Sequence, residues 1–272
     1  GKMSPIRVGI IGNGHLGKFL HAELDKLPQF EVVRVWNRTT EGDIMPLEKI
    51  NEEGLVDIDL VVEVAHPALI KRFAPVILAH SDLFIGSPTC LADASLLESI
   101  HKLAERHNRK VLIPAGAFWG GNDIQKMAEL GTLKALEVSM TKHPDSFKLE
   151  SPLKEKNEEA KRETEKATVL YEGPVRALCS LAPNNVNTMA GASIAAHNLG
   201  FDGVTAKLVS DPKMRDWHIV GVKVTGPDGF EVVSERRNPA KPGAVTGQLT
   251  YFSFLASIKE GRYKPVGKLH VC

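Results

Sequence analysis

Residues 7–20 read RVGIIGNGHLGKFL. An apolar β-branched run, Ile6 to Ile11, meets three glycines, and an amphipathic segment follows with apolar residues at Leu16, Phe19, Leu20, Leu24 and Leu27. That spacing is helical. Gly12, Gly14 and Gly17 therefore form a GxGxxG turn between a strand and a helix. The first glycine permits the tight turn. The second removes a Cβ that would block a pyrophosphate, and the third lets helix and strand pack closely. Asn13, His15 and Leu16 complete the turn, whose free N–H groups and helix dipole suit phosphate.

The rest of the first 117 residues repeats the alternation. Strands are expected at Phe30–Trp36, Ile58–Ala65, Leu83–Gly86 and Lys110–Pro114, and helices at Pro67–Ala79 and Ala92–His107, the latter with Asp93 as a possible cap. Apolar strands alternating with helices imply a parallel sheet covered on both faces. The expected fold class is α/β: a Rossmann-type doubly wound parallel sheet followed by a second α+β domain with a mixed sheet. The expected division is a dinucleotide-binding domain over 1–117, completed by 243–272, and a substrate, catalytic and dimerisation domain over 118–242. In the second part a helix is expected over 122–130 and strands over 136–141, 168–172, 204–210 and 217–225. A small-residue helix is expected over 183–196 and a closing helix over 247–260. The helix over 183–196 suits either close approach of a flat cofactor ring or alanine-rich core packing. Residues 154–166, KEKNEEAKRETEK, balance five basic against five acidic side chains and read as a solvated helix or mobile loop.

Bulk properties exclude several classes. The formal charge of +1 gives no electrostatic case for nucleic acid or an anionic membrane surface. No apolar run approaches the roughly 20 residues of a membrane span, and no secretory signal is visible. Gly1 and Lys2, ahead of Met3, are left out of the fold reading. Cys90, Cys179 and Cys272 are isolated and odd in number, which suits reduced thiols in a cytoplasmic protein. No histidine or cysteine spacing matches a metal site, so none is expected.

The end of the second strand bears on the choice of dinucleotide. A site selective for NAD places Asp or Glu there, to accept from the ribose hydroxyls. This chain has Asn37, Arg38, Thr39 and Thr40 instead. Arg38 can pair with a 2′-phosphate or lie over adenine, and Thr39 can donate a hydrogen bond. NADP is therefore expected to be accepted, alongside or ahead of NAD.

Six stretches carry a resemblance: GNGHLG (12–17), VVEVAHP (61–67), IPAGAFWGGNDI (113–124), TKHPDSF (141–147), LYEGPVRALCSLAPNNVNTMAGASIA (170–195) and DPKMRDWHIVGVKV (211–224). In this order and spacing the chain resembles the L-aspartate dehydrogenase family, its animal branch above all, over nearly its whole length. The resemblance implies hydride transfer between Cα of L-aspartate and a nicotinamide, giving iminoaspartate, then oxaloacetate and ammonia, or the reverse amination. It places the catalytic acid/base on His218; a histidine titrates in the range such a step needs. It places nicotinamide-end contacts on Ala117, taken to close the fifth strand, and on Asn187, with Asn185 as the alternative. Two substrate carboxylates call for cations or donors, for which Lys142 and His143 are candidates; a surface position suits Lys142 as well. A homodimer is expected. A reductase of another small carboxylate and a non-catalytic dinucleotide sensor are the competing expectations.

Overall fold

The computed structural model describes residues 3–272, so Gly1 and Lys2 lie outside the described residues. The chain divides into two compact units. The first runs to Pro114 and takes in Phe254–His270 and Cys272; the second comprises Ala115–Ser253 and Val271.

The first unit contains β1 (Ile6–Ile11), α1 (His15–Asp25), β2 (Phe30–Trp36), β3 (Leu60–Glu63), α2 (Pro67–His80), β4 (Asp82–Ile85), α3 (Ala94–His107) and β5 (Val111–Ile113). The second contains α4 (Gly121–Glu129), β6 (Ala135–Lys142), α5 (Leu153–Ala160), β7 (Thr168–Pro174), α6 (Val175–Leu181), α7 (Asn187–Ala195), α8 (Gly200–Gly203), β8 (Thr205–Ser210), β9 (Trp217–Thr225) and β10 (Glu231–Pro239). The chain ends with α9 (Gln248–Gly261) and β11 (Leu269–Val271).

The first sheet has the order β11-β5-β4-β3-β1-β2, and its pairs from β2 through β5 are parallel. β3 is buried along its whole length, as a strand covered on both faces must be. Val8, Ile10, Leu20, Phe30, Val62, Phe84 and Leu112 form its core with Phe254 and Ile258 of α9. Helix ends are set locally. His66 accepts from Ala68 N at the start of α2, and Asp93 accepts from Ser95 N and Leu96 N at the start of α3.

The second sheet has the order β10-β9-β6-β8-β7 and is mixed: β6 runs parallel to β8 and antiparallel to β9. β6, β8 and β9 alternate buried with less buried residues, so one face carries the core. α6 packs on β7 and β8.

Several expected elements are corrected. The strand expected over 58–65 is ordered only from Leu60 to Glu63. The helix expected over 183–196 begins at Asn187 instead. Ahead of it the chain turns, and Asn185 Oδ1 accepts from Lys148 N at 3.0 Å, tying that turn to a neighbouring loop. Ala117 does not close β5, which ends at Ile113; it lies in the turn that follows, 7% exposed. The charged run is not simply solvated, because α5 buries Leu153, Asn157 and Ala160.

Candidate functional site

The first site grows from the glycine turn. Gly12 leaves β1 at φ +116°, which only glycine adopts without strain, and its N–H donates to Trp36 O at 2.8 Å. A Cβ on Gly17 would stand 2.5 Å from the Gly12 carbonyl oxygen, so α1 approaches β1 this closely only with glycine there. Gly14 differs: no atom lies within 4 Å of where its Cβ would be. It is the N-cap of α1, supplies no side chain to cap the helix, and no acidic residue occupies the first turn. The positive end of the helix, starting at His15 and Leu16, is therefore left for an anion.

Around this turn lies a cavity of about 500 Å³, lined by Gly12, Asn13 and Gly14, by Asn37 and Arg38 after β2, by Leu47, and by Val64, Ala65, His66 and Leu69 after β3. Arg38 is exposed and, among the described residues, makes no ion pair. Asn37 Nδ2 donates to Thr39 O at 3.0 Å, so the Asn37–Thr39 bend holds itself in shape. Thr39 is not part of the lining. An open Cβ position, an uncapped helix start and an arginine in the lining fit a dinucleotide.

The sequence reading passed over Glu63. It ends β3, is fully buried, and ties together the two loops after β3 and β4. Oε1 accepts from Ala65 N at 2.8 Å and from Ser87 Oγ at 3.0 Å, while Oε2 accepts from Ser87 N at 3.1 Å. Burial pushes its pKa up to about 7, against the downward pull of these donors. The signal was present as a lone acid inside the apolar run LVVEVA.

The second site is a row across the second sheet. Ser210 on β8 pairs with Lys142 on β6, and His218 on β9 pairs with Asn238 on β10. The β6–β9 register, which sets Thr141 opposite Ile219, brings Lys142 beside His218 one step further on. Ser210, Lys142, His218 and Asn238 are all at least 96% buried. The preceding row on this face is apolar, with Leu208, Met140 and Val220. The sheet thus ends in one buried polar row, which needs an account because buried polar groups are normally satisfied.

Part of the row is satisfied. Ser210 Oγ donates to Asn157 Oδ1 at 3.0 Å, and Asn157 Nδ2 donates to Pro144 O at 2.9 Å, which explains why α5 is anchored. Lys142 Nζ donates to Val245 O at 2.6 Å and lies 5.8 Å from the centre of the Phe147 ring. Asn238 Nδ2 donates to His218 O at 3.2 Å. Other atoms are not satisfied. His218 Nε2, Asn238 Oδ1, Asn187 Oδ1 and Ser146 Oγ are buried without a hydrogen-bond partner. Burial lowers the pKa of Lys142 to about 7. Burial first, and the Lys142 charge second, lower that of His218 to about 4, while a backbone hydrogen bond with Ala244 works the other way. These shifts favour the neutral imidazole at pH 7, and its Nε2 is buried without a hydrogen-bond partner.

Lys142 is not a surface lysine. His143 takes a local role: its Nδ1 accepts from Asp145 N at 3.1 Å and caps the turn at Pro144–Ser146. Asn187 opens α7, whereas Asn185 spends its side chain on Lys148 N and, at 3.5 Å, on Ser146 O. Among the described residues, no three His, Cys, Asp or Glu side chains gather as a metal site, and no helix is long and apolar enough to cross a membrane.

Residues 8–114 match the model of the homoserine dehydrogenase NAD-binding domain, and residues 123–260, half of the chain, match that of the aspartate dehydrogenase C-terminal domain. The chain belongs to the aspartate dehydrogenase family. The family places it among the NAD(P)-dependent oxidoreductases. An aspartate dehydrogenase domain-containing protein of Xenopus tropicalis is 45% identical over 98% of this chain and 98% of its own. The L-aspartate dehydrogenase of Methanocella arvoryzae is 26% identical, over 93% and 96%. The crystal structure of the Thermotoga maritima aspartate dehydrogenase superposes with a TM-score of 0.72 at 23% identity, covering 95% of this chain and 97% of that one, which shows the shared fold. Both halves of the family pattern thus fall on the two sites: the glycine turn within 8–114, and the Lys142–His218 row within 123–260.

Proposed function

We propose that this aspartate dehydrogenase family member catalyses the NAD(P)-dependent oxidative deamination of L-aspartate to iminoaspartate, which hydrolyses to oxaloacetate and ammonia, or the reverse amination. The bound dinucleotide supplies the hydride acceptor or donor. Gly12, Asn13, Gly14, His15, Leu16 and Gly17 would hold its pyrophosphate, Asn37, Arg38 and Thr39 its adenosine end, and Ala117 and Asn187 its nicotinamide end. His218 is the acid/base group: neutral in the resting protein, it can take a proton from the amine, or from the water that attacks the imine. Lys142 supplies positive charge beside it for a substrate carboxylate, and His143 stands at the end of the same strand. The reading rests above all on one observation, the vacant Nε2 of a buried histidine beside a buried lysine, within the segment that matches the aspartate dehydrogenase C-terminal domain.

Entry of a dicarboxylate supports this assignment energetically. Negative charge beside Lys142 and His218 favours the protonated form of each. The substrate itself would then bring the imidazole toward a working range. The exposed edge residues Val232 and Val233 of β10 favour a homodimer, which light scattering of the purified protein would test.

The test of the reaction is reduction of NAD⁺ or NADP⁺ at the nicotinamide absorbance band, with L-aspartate against D-aspartate, L-glutamate and L-malate. Selective turnover of L-aspartate, with oxaloacetate and ammonia recovered in equal amounts, is the expected result. Turnover of another carboxylate alone would make the protein a different reductase. Dinucleotide binding without turnover of any substrate would make it a sensor.

A further inference from the structure

The core-bearing face of the second sheet carries another cation besides Lys142. The apolar row of Leu208, Met140 and Val220 ends on β10 in Arg236, which pairs with Val220. Residues paired across an antiparallel ladder share a face, and so do residues two apart on one strand. Arg236 therefore lies on the face of His218 and Asn238, one row away from them. Its contact agrees: Nη1 donates to Gly116 O at 3.2 Å, in the turn that carries Ala117. Arg237 faces the other way and pairs with Glu235 on the surface, Nε to Oε1 at 2.9 Å. Arg236 is half-buried and, among the described residues, makes no ion pair. The Gly116 carbonyl engages one of the five N–H donors of its fork. The remaining donors suit a carboxylate, whose two oxygens match a guanidinium edge.

His218, on the strand between β6 and β10, thus has a cation on either side: Lys142 beside it on β6, and Arg236 diagonally across on β10. Diagonal neighbours of this kind lie about 7–8 Å apart, within reach of a long side chain. We infer that Arg236 determines specificity for the second carboxylate of the substrate. With His218 at the amine, Lys142 takes the carboxylate next to the reacting carbon and Arg236 takes the one at the far end. This rests on the proposed oxidation of an amino dicarboxylate, and it names the group that makes the site prefer two carboxylates to one. Two cations flanking one imidazole match a doubly negative ligand, whereas a monocarboxylate leaves one of them unpaired. The bond to Gly116 O sets the direction of the guanidinium in advance, so less of its freedom is lost on binding.

The test is calorimetric titration of the whole protein, saturated with NADP⁺, with succinate and with butyrate. The two differ by one carboxylate, and neither has an amine to oxidise. Wild type should bind succinate more tightly, by about tenfold or more. Arg236→Gln keeps a donor for Gly116 O and loses the charge, whereas Arg236→Met loses both. Each should weaken succinate about tenfold to a hundredfold, the worth of a charge-assisted pair, and leave butyrate within about threefold. The inference is overturned if wild type does not discriminate, or if Arg236→Gln holds succinate as tightly as wild type. It is equally overturned if the variants lose succinate and butyrate alike, which would make Arg236 a prop for the Gly116 turn. Should Arg236→Met fail to fold, wild type and Arg236→Gln decide. An Arg236-dependent preference for succinate in a protein that oxidises no L-aspartate upholds the arginine and discards the proposed reaction. Turnover of L-aspartate with a KM indifferent to Arg236→Gln upholds the reaction and discards the arginine.

Discussion

Lys142 and His218 stand side by side on neighbouring antiparallel strands, in a buried row. Burial disfavours the charged form of each, and His218 Nε2 is buried without a hydrogen-bond partner. His218→Gln should therefore lower kcat on the order of 100-fold or more. Its melting temperature should stay within several degrees of wild type, since His218 Nε2 makes no hydrogen bond that the substitution could lose. Steady-state kinetics beside a circular-dichroism melt separates loss of chemistry from loss of fold.

An unreactive dicarboxylate should act on the same pair without turnover. Burial and the Lys142 charge hold His218 at about 4. Succinate binding should raise its midpoint, because two negative charges favour imidazolium, and by linkage succinate should bind more tightly as pH falls through that midpoint. Titration of the His218 signal with and without succinate checks this. An unchanged midpoint with saturating succinate would place the dicarboxylate elsewhere.

Gly14 and Gly17 should respond oppositely to the same substitution. Gly17→Ala sets a methyl 2.5 Å from a backbone oxygen, so α1 must shift and stability should fall by about 1–3 kcal/mol. Gly14→Ala meets nothing within 4 Å and should melt as the wild type does. Its methyl would stand where a pyrophosphate approaches, so dinucleotide affinity should drop about tenfold or more, roughly 1.4 kcal/mol. Melting curves and fluorescence titration with NADPH measure both arms.

Much of this was legible in the chain, for identifiable reasons. The parallel sheet was readable because strands buried on both faces must be apolar throughout, and because the glycine turn marks the first crossover. β10 was missed because it is a sheet edge: EVVSERRNP buries only Asn238, so no apolar alternation marks it. The start of α7 was misplaced because a side-chain bond from Asn185 to a distant loop, which no local pattern encodes, ends the turn before it. His218 became a candidate through resemblance alone. Its neighbours Lys142 and Asn238 are brought beside it only by strand register, and Val245, about 27 residues further along the chain, meets Lys142 rather than the ring.

Arg38 should decide between the two dinucleotides. It lines the cavity at the end of β2, where no carboxylate competes with a 2′-phosphate. Arg38→Ala should raise KM for NADP⁺ about tenfold to a hundredfold, the worth of a charge-assisted contact of about 1.5–3 kcal/mol. KM for NAD⁺ should change about threefold at most. Equal loss with both cofactors would reassign Arg38 to the adenine face.

Glu63 makes the pH dependence of the first unit predictable in sign. Its pKa rises from 4.5 in the unfolded chain to about 7 in the fold. Between those values the folded protein holds a proton that the unfolded chain has released, so stability falls as pH rises from 4.5 to 7 and levels off above. A shift of this size corresponds to a few kcal/mol. Glu63→Gln removes the titration, and with it this part of the slope. It also turns an amide N–H toward either Ser87 N or the Ala65 N–H and Ser87 Oγ pair, which costs about 1–3 kcal/mol at low pH. Since Val64, Ala65 and His66 line the cavity, that mismatch should also weaken dinucleotide binding. Denaturant melts of wild type and Glu63→Gln at pH 5, 6, 7 and 8 should therefore give curves that converge as pH rises, and parallel curves would show that the carboxyl is ionised throughout.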